Sequence, residues 1–99
     1  MNEKTFVHTP KDKKQESKGW SITLKTDITQ AELSRYEALI KGEYTPITFN
    51  GVVLKSAQDV GWVIEPKTLE VDNSSPACVA WMAGKVAEVV REAIQIPPE

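Results

Sequence analysis

The stretch Ile47-Thr48-Phe49-Asn50-Gly51-Val52-Val53-Leu54-Lys55-Ser56-Ala57-Gln58-Asp59-Val60 decides the fold, because it admits two incompatible structures. With period two, Ile47-Thr48-Phe49 and Val52-Val53-Leu54 are strands joined by Asn50-Gly51, a dipeptide that favours a type I′ hairpin turn. With period 3.6, Asn50 is a helix N-cap, Val53, Leu54, Ala57 and Val60 form one stripe, and Gly61 stops the helix. The helical pattern accounts for more residues, since it also gathers Lys55, Ser56, Gln58 and Asp59 on the other side. Helix is the favoured reading, with the hairpin left open.

The flanking segments are less ambiguous. Upstream, Thr29-Gln30-Ala31-Glu32 is a capping box, in which the Thr29 hydroxyl and the Glu32 carboxylate each take one unpaired amide of the first turn. Ile28 and Leu33 are placed for a hydrophobic staple, Leu33, Tyr36, Leu39 and Ile40 continue the stripe, and Gly42 can end the helix in a left-handed conformation. Before it, Trp20-Ser21-Ile22-Thr23-Leu24 alternates as a half-buried strand does. Downstream, Trp62-Val63-Ile64 reads as a short strand or extended segment closed by Pro66, and residues 65–75 as a loop with a possible brief strand at 68–71. Ser75-Pro76 then opens a last helix, with Val79, Met82, Ala83, Val86, Val89, Val90 and Ala93 as its buried stripe. Lys85, Glu88, Arg91 and Glu92 form its wet side, and the helix stops before Pro97. The expected fold is α+β, mainly α, with about three helices and one or two short strands.

Composition divides the chain unevenly. Of 99 residues, 40% are hydrophobic, but residues 1–18 hold only Met1, Phe6 and Val7 as clear hydrophobes. They read as a polar, flexible arm, with residues 19–99 as one small globular domain. In the arm, Lys4, Lys11, Lys13, Lys14 and Lys18 outweigh Glu3, Asp12 and Glu16, within a chain whose formal net charge is −2. A mildly basic arm on an acidic domain argues against a nucleic-acid partner on charge grounds; Lys11, Lys13 and Lys14 would carry that contact.

The chemistry-bearing residues are few. Cys78 is the only cysteine, which excludes an internal disulfide and suits a reducing compartment; it reads as a packing residue. His8 is the only histidine and falls in the arm, where nothing is expected to orient it as a base. One Cys and one His cannot build a zinc site, and Gly42, Gly51, Gly61 and Gly84 form no phosphate-binding loop. The expectation is a non-enzymatic protein with no cofactor and no metal. No apolar run reaches the length of a signal peptide or a membrane span, so the expected location is the cytoplasm. Gly84, in the middle of the last helix, costs about 1 kcal/mol relative to alanine; it is either a tolerated weak point in a well-packed helix or is offset by the close approach of another helix or subunit.

The segment LKSAQDVGWV at 54–63, followed by SPACVAWMAGKVAEVV at 75–90 and EAIQIPPE at 92–99, resembles small proteins encoded among the tail genes of long-tailed bacteriophages and prophages. These are described as tail assembly proteins or tail assembly chaperones. The resemblance covers about residues 20–99, and its distinctive pieces are Ala57, Gly61, Trp62, Trp81 and the closing Ile96-Pro97-Pro98-Glu99. It implies a protein of the host bacterial cytoplasm, or one incorporated in the virion, that holds other tail proteins such as the tape-measure protein and can form homo-oligomers. By the same analogy, Trp62, Trp81, Ile96, Pro97 and Pro98 are the contact residues, while the residues by themselves read Trp20, Trp62 and Trp81 as core packing first. A small tail or neck structural component would read similarly. Two other classes stay in view: a small nucleic-acid-binding regulator using the lysine arm, and a phage-encoded inhibitor of a host protein.

Overall fold

The computed structural model describes residues 2–8 and 19–96. Its elements are β1 (Glu3–His8), β2 (Trp20–Lys25), α1 (Gln30–Leu39), α2 (Pro46–Asp59), β3 (Val63–Glu65) and α3 (Pro76–Ile94), with one 3₁₀ turn at Val71–Asn73. The protein is a small α+β fold, in which three helices pack with a three-stranded antiparallel sheet of order β1-β2-β3.

Residues 47–60 are helical. The helix begins earlier than Asn50, however: Thr45 is the N-cap, its hydroxyl accepting from the Thr48 amide at 3.2 Å, and Pro46 takes the first position. Threonine before proline satisfies one terminal amide and removes another, the same device that Ser75-Pro76 uses to start α3. Gly61 follows α2 with φ +82, a left-handed conformation that turns the chain into Trp62 and β3. Gly51 lies inside α2, where an added Cβ would meet only Val71 Cγ1 at 3.8 Å, ordinary contact. Gly51→Ala should therefore raise stability by about 0.5–1 kcal/mol, read as a higher denaturant midpoint; a type I′ turn would have lost stability instead.

The capping box of α1 forms as expected, with Thr29 N donating to Glu32 Oε1 at 2.9 Å and Glu32 N to Thr29 Oγ1 at 3.2 Å. Lys25, at the end of β2, donates to both Glu32 oxygens at 2.9 and 2.7 Å, tying sheet to helix. The Lys25 ammonium and then the Thr29 amide hold the Glu32 carboxyl below its ordinary value. A depressed folded value stabilises the fold above the unfolded glutamate pKa of about 4.3 and is lost as pH falls through the folded one. Glu32→Gln should accordingly flatten part of the acid limb when denaturant midpoints are compared from about pH 6 to about pH 3.

β1 corrects the expectation of a flexible arm for residues 3–8 and raises the strand count to three; residues 9–18 of that arm lie outside the described residues. Glu3–His8 pair with β2 in continuous register, Phe6 opposite Ile22 and His8 opposite Trp20. Lys4, Phe6 and His8 share a sheet face with Trp20, Ile22 and Leu24, while the Thr5 and Thr23 hydroxyls bond at 2.8 Å on the other. The proposed strand at 68–71 does not form; Leu69 and Glu70 lead into the 3₁₀ turn, where the Ser74 hydroxyl donates to the Glu70 carbonyl at 2.9 Å. The core is Ile22 and Leu24 of β2, Leu54 and Ala57 of α2, Trp62, and Met82, Ala83, Val86 and Val89 of α3.

Candidate interaction surface

α3 runs 19 residues, about 28 Å, and only one side of it is used by the core. Cys78, Val79, Met82, Ala83, Val86 and Val89 point inward and are buried, and Trp81, Lys85 and Val90 are half-buried. The opposite side carries Ala77, Ala80, Gly84, Ala87, Arg91 and Ile94, all exposed. A solvated helix face ordinarily holds charged and polar residues. Here it is an apolar strip with one cation. Ala93, expected in the buried stripe, is exposed, and Lys85 and Glu88, expected to be wet, pair at 3.0 Å and are half-buried.

The first turns of α2 rise beside this strip. Asn50 and Ala80 stand where α2 crosses α3, and a groove opens on each side of the crossing. The first, about 460 Å³, lies between Phe49 and Val53 of α2 and Gly84, Ala87, Val90 and Ile94 of α3, with Tyr36 at its floor. The second, about 410 Å³, is bordered by Ile47, Val52, Lys55, Asp72, Pro76 and Ala80. Ile47 is 75% exposed, Ile94 59% and Phe49 41%, so large apolar side chains rim the strip of small ones. A contiguous apolar area of this kind marks a contact surface more often than scattered single hydrophobes do. The charges at and beside it are Arg91, with Glu88 and Glu92 on the adjoining side of α3, and at the other end Asp72, whose carboxylate meets Lys55 at 2.9 Å.

The residues nominated from sequence separate. Trp62 is 1% exposed, packed at 4.7 Å from the Tyr36 ring, and is a core residue; its nomination as a contact residue is overturned. The reason is local: Gly61 turns the chain so that the indole enters the core while the Trp62 carbonyl accepts from the Lys25 amide at 2.8 Å. Trp81 is half-buried, on the flank of α3 facing the sheet. It meets the His8 ring edge-on at 5.5 Å, and His8 stacks on Trp20 at 4.8 Å, so His8 is held in an aromatic cluster and is not a solvated tail residue. Lys85 closes the cluster over Phe6 at 5.6 Å and Trp81 at 5.5 Å, cation–π contacts that fix β1 against α3. Ile96 is 88% exposed, beyond the end of α3. Pro97, Pro98, Lys11, Lys13 and Lys14 lie outside the described residues.

Cys78 is buried with its Sγ 4.0 Å from Met82 Sδ, and burial pushes its thiol up, so it stays protonated at neutral pH. Among the described residues, no group of three His, Cys, Asp or Glu is placed to share a metal ion, and no helix is long and apolar enough to cross a membrane. No family model, curated protein or solved structure matches this chain.

Proposed function

We propose that this protein is a non-catalytic phage tail morphogenesis protein, a tail assembly chaperone or a small tail or neck component, that works through protein–protein contacts. The observation that carries the binding reading is the exposed apolar strip of α3 with the Phe49–Ile94 groove beside it, where a solvated helix would present charge. The tail setting rests on the resemblance of residues 20–99 to tail assembly proteins. Holding a tape-measure protein in the host cytoplasm requires an apolar surface and no bond making. That is what Ile47, Phe49 and Ile94 offer.

Co-expression with the tape-measure protein of the same tail gene cluster tests the reading. The chain should raise the soluble fraction of that protein severalfold, and Ile94→Glu, at an exposed position, should remove the gain while leaving the fold intact. An unchanged soluble fraction would count against the tail role. Nucleic acid that accompanies the chain at low salt and leaves at high salt would place it with the regulators instead.

A further inference from the structure

We propose that the occupant of this surface is a second copy of the same chain, with the two α3 helices packed antiparallel about a two-fold axis near Gly84 and Ala87. The inference rests on the binding reading above and gives the same surface a second occupant besides the tape-measure protein.

Four observations converge on that occupant. First, Ala77, Ala80, Gly84, Ala87, Arg91 and Ile94 recur at alternating spacings of three and four, the seam spacing of paired helices, and all are exposed. Second, Gly84 has no cause inside the chain: a Cβ there would meet nothing within 4 Å, yet glycine in a helix interior costs about 1 kcal/mol. The backbone is left bare where a neighbouring helix needs close approach. Third, the strip is complementary to itself when reversed. With the axis between positions 84 and 87, Gly84 faces Ala87 of the other copy, and Ile94 covers Ala77, a large side chain on a small one at each end.

Charge is the fourth and fixes the direction. Arg91 is the only charged residue on the strip and forms no salt bridge among the described residues. A reversed copy brings it level with Ala80, which borders the same groove as Asp72, whose side chain is 83% exposed. Glu70 stands next to that corner, holding Asn73 Nδ2 at 3.0 Å. A parallel arrangement would stack the two Arg91 guanidiniums instead. The other helices are poorer occupants: α1 and α2 have 10 and 14 residues, and α1 turns Ser34, Arg35 and Glu37 outward.

A seam about 28 Å long and about 10 Å wide covers roughly 300 Å² per copy, and the Ile47 and Phe49 wall of α2 adds to it. Stable interfaces use about 800 Å² per partner, so a seam of this size supports only weak, reversible association, and concentrations of about 1–100 µM are the range in which it is to be sought.

Sedimentation equilibrium across that range, with circular dichroism and thermal melts on each variant, tests the arrangement. The wild-type chain should move reversibly from monomer to dimer. Gly84→Glu should stay monomeric at every concentration while keeping its helicity and melting no lower than the wild-type monomer, because the position is open. Arg91→Glu should weaken the dimer at least tenfold, and adding Asp72→Arg to it should restore most of the loss. A wild-type monomer throughout, a dimer indifferent to Gly84→Glu, or a mass larger than a dimer would overturn the proposal. If the monomeric wild-type chain still keeps the tape-measure protein soluble, the second copy is wrong and the wider binding reading stands; if it does neither, both fall.

Discussion

Replacing Trp62 by alanine is expected to cost about 3–5 kcal/mol, the range for emptying a large aromatic site in a tight core. Trp62 is the largest of the fully buried side chains and packs on Tyr36, which makes it the joint between α1 and the rest of the core. For a domain with about 80 residues in its core-bearing part, that is a large share of the total stability, and the variant should unfold at low denaturant or fail to accumulate. Trp62→Phe should lose far less. The indole Nε1 is buried with no hydrogen-bond partner among the described residues, so phenylalanine trades some volume for the removal of an unpaired donor. Trp81→Ala, on the half-buried flank, should fall between the two. Equal losses at Trp62 and Trp81 in denaturant melts would contradict the assignment of one to the core and the other to its margin.

Removing residues 1–8 is the second change with a large expected effect, on the order of 3 kcal/mol or more. The deletion takes away Phe6 from under Lys85, strips His8 from Trp20 and Trp81, and uncovers the paired edge of β2, including Ile22 and Leu24. Fully burying a phenylalanine alone is worth about 1.5–3 kcal/mol, and the half-buried Phe6 supplies part of that before the uncovered core is counted. An arm without structure would be lost at almost no cost. A thermal melt of the shortened chain decides between them, since β1 as an integral strand requires a drop of many degrees and a loose arm requires none.

These two cases show which parts of the molecule its sequence displays. Signals confined to one turn survive: the Thr29–Glu32 box, the Ser75-Pro76 start and Gly61 all act where local chemistry places them. Thr45-Pro46 carries the same signal as Ser75-Pro76, but Asn50-Gly51 is the more conspicuous pair and places the expected N-cap five residues inside the observed one. β1 was hidden because Glu3, Lys4 and His8 make half of it polar. Its strand character comes from pairing with β2 and from the cover that α3 supplies, with Thr5-Phe6-Val7 as the one local hint. Trp62 and Trp81 look alike in the chain, and tertiary position alone tells them apart. The α3 strip was missed for a different reason. Alanine and glycine register as neutral in a hydrophobic pattern, so Lys85, Glu88, Arg91 and Glu92 dominate the reading of the outer side, and the recurrence of small residues at 77, 80, 84 and 87 carries no signal of its own.

The sheet and the helices divide the work. Lys25–Glu32 and the Phe6–Lys85–Trp81 contacts hold the sheet to α1 and α3, leaving the outer side of α3 and the first turns of α2 free of structural duty. A surface that costs stability through Gly84 and exposes Ile47 and Ile94 has no evident use within the folded chain.

The measurement that tests this account most directly is the tape-measure solubility assay run with two variants side by side, at low and high salt. One alters the surface, Ile94→Glu; the other alters the amino-terminal lysines, with Lys11, Lys13 and Lys14 all changed to glutamate. The account predicts that the surface variant loses activity at both salts and the lysine variant keeps it. The reverse result, with bound nucleic acid that high salt removes, would contradict it and make the lysines the functional element.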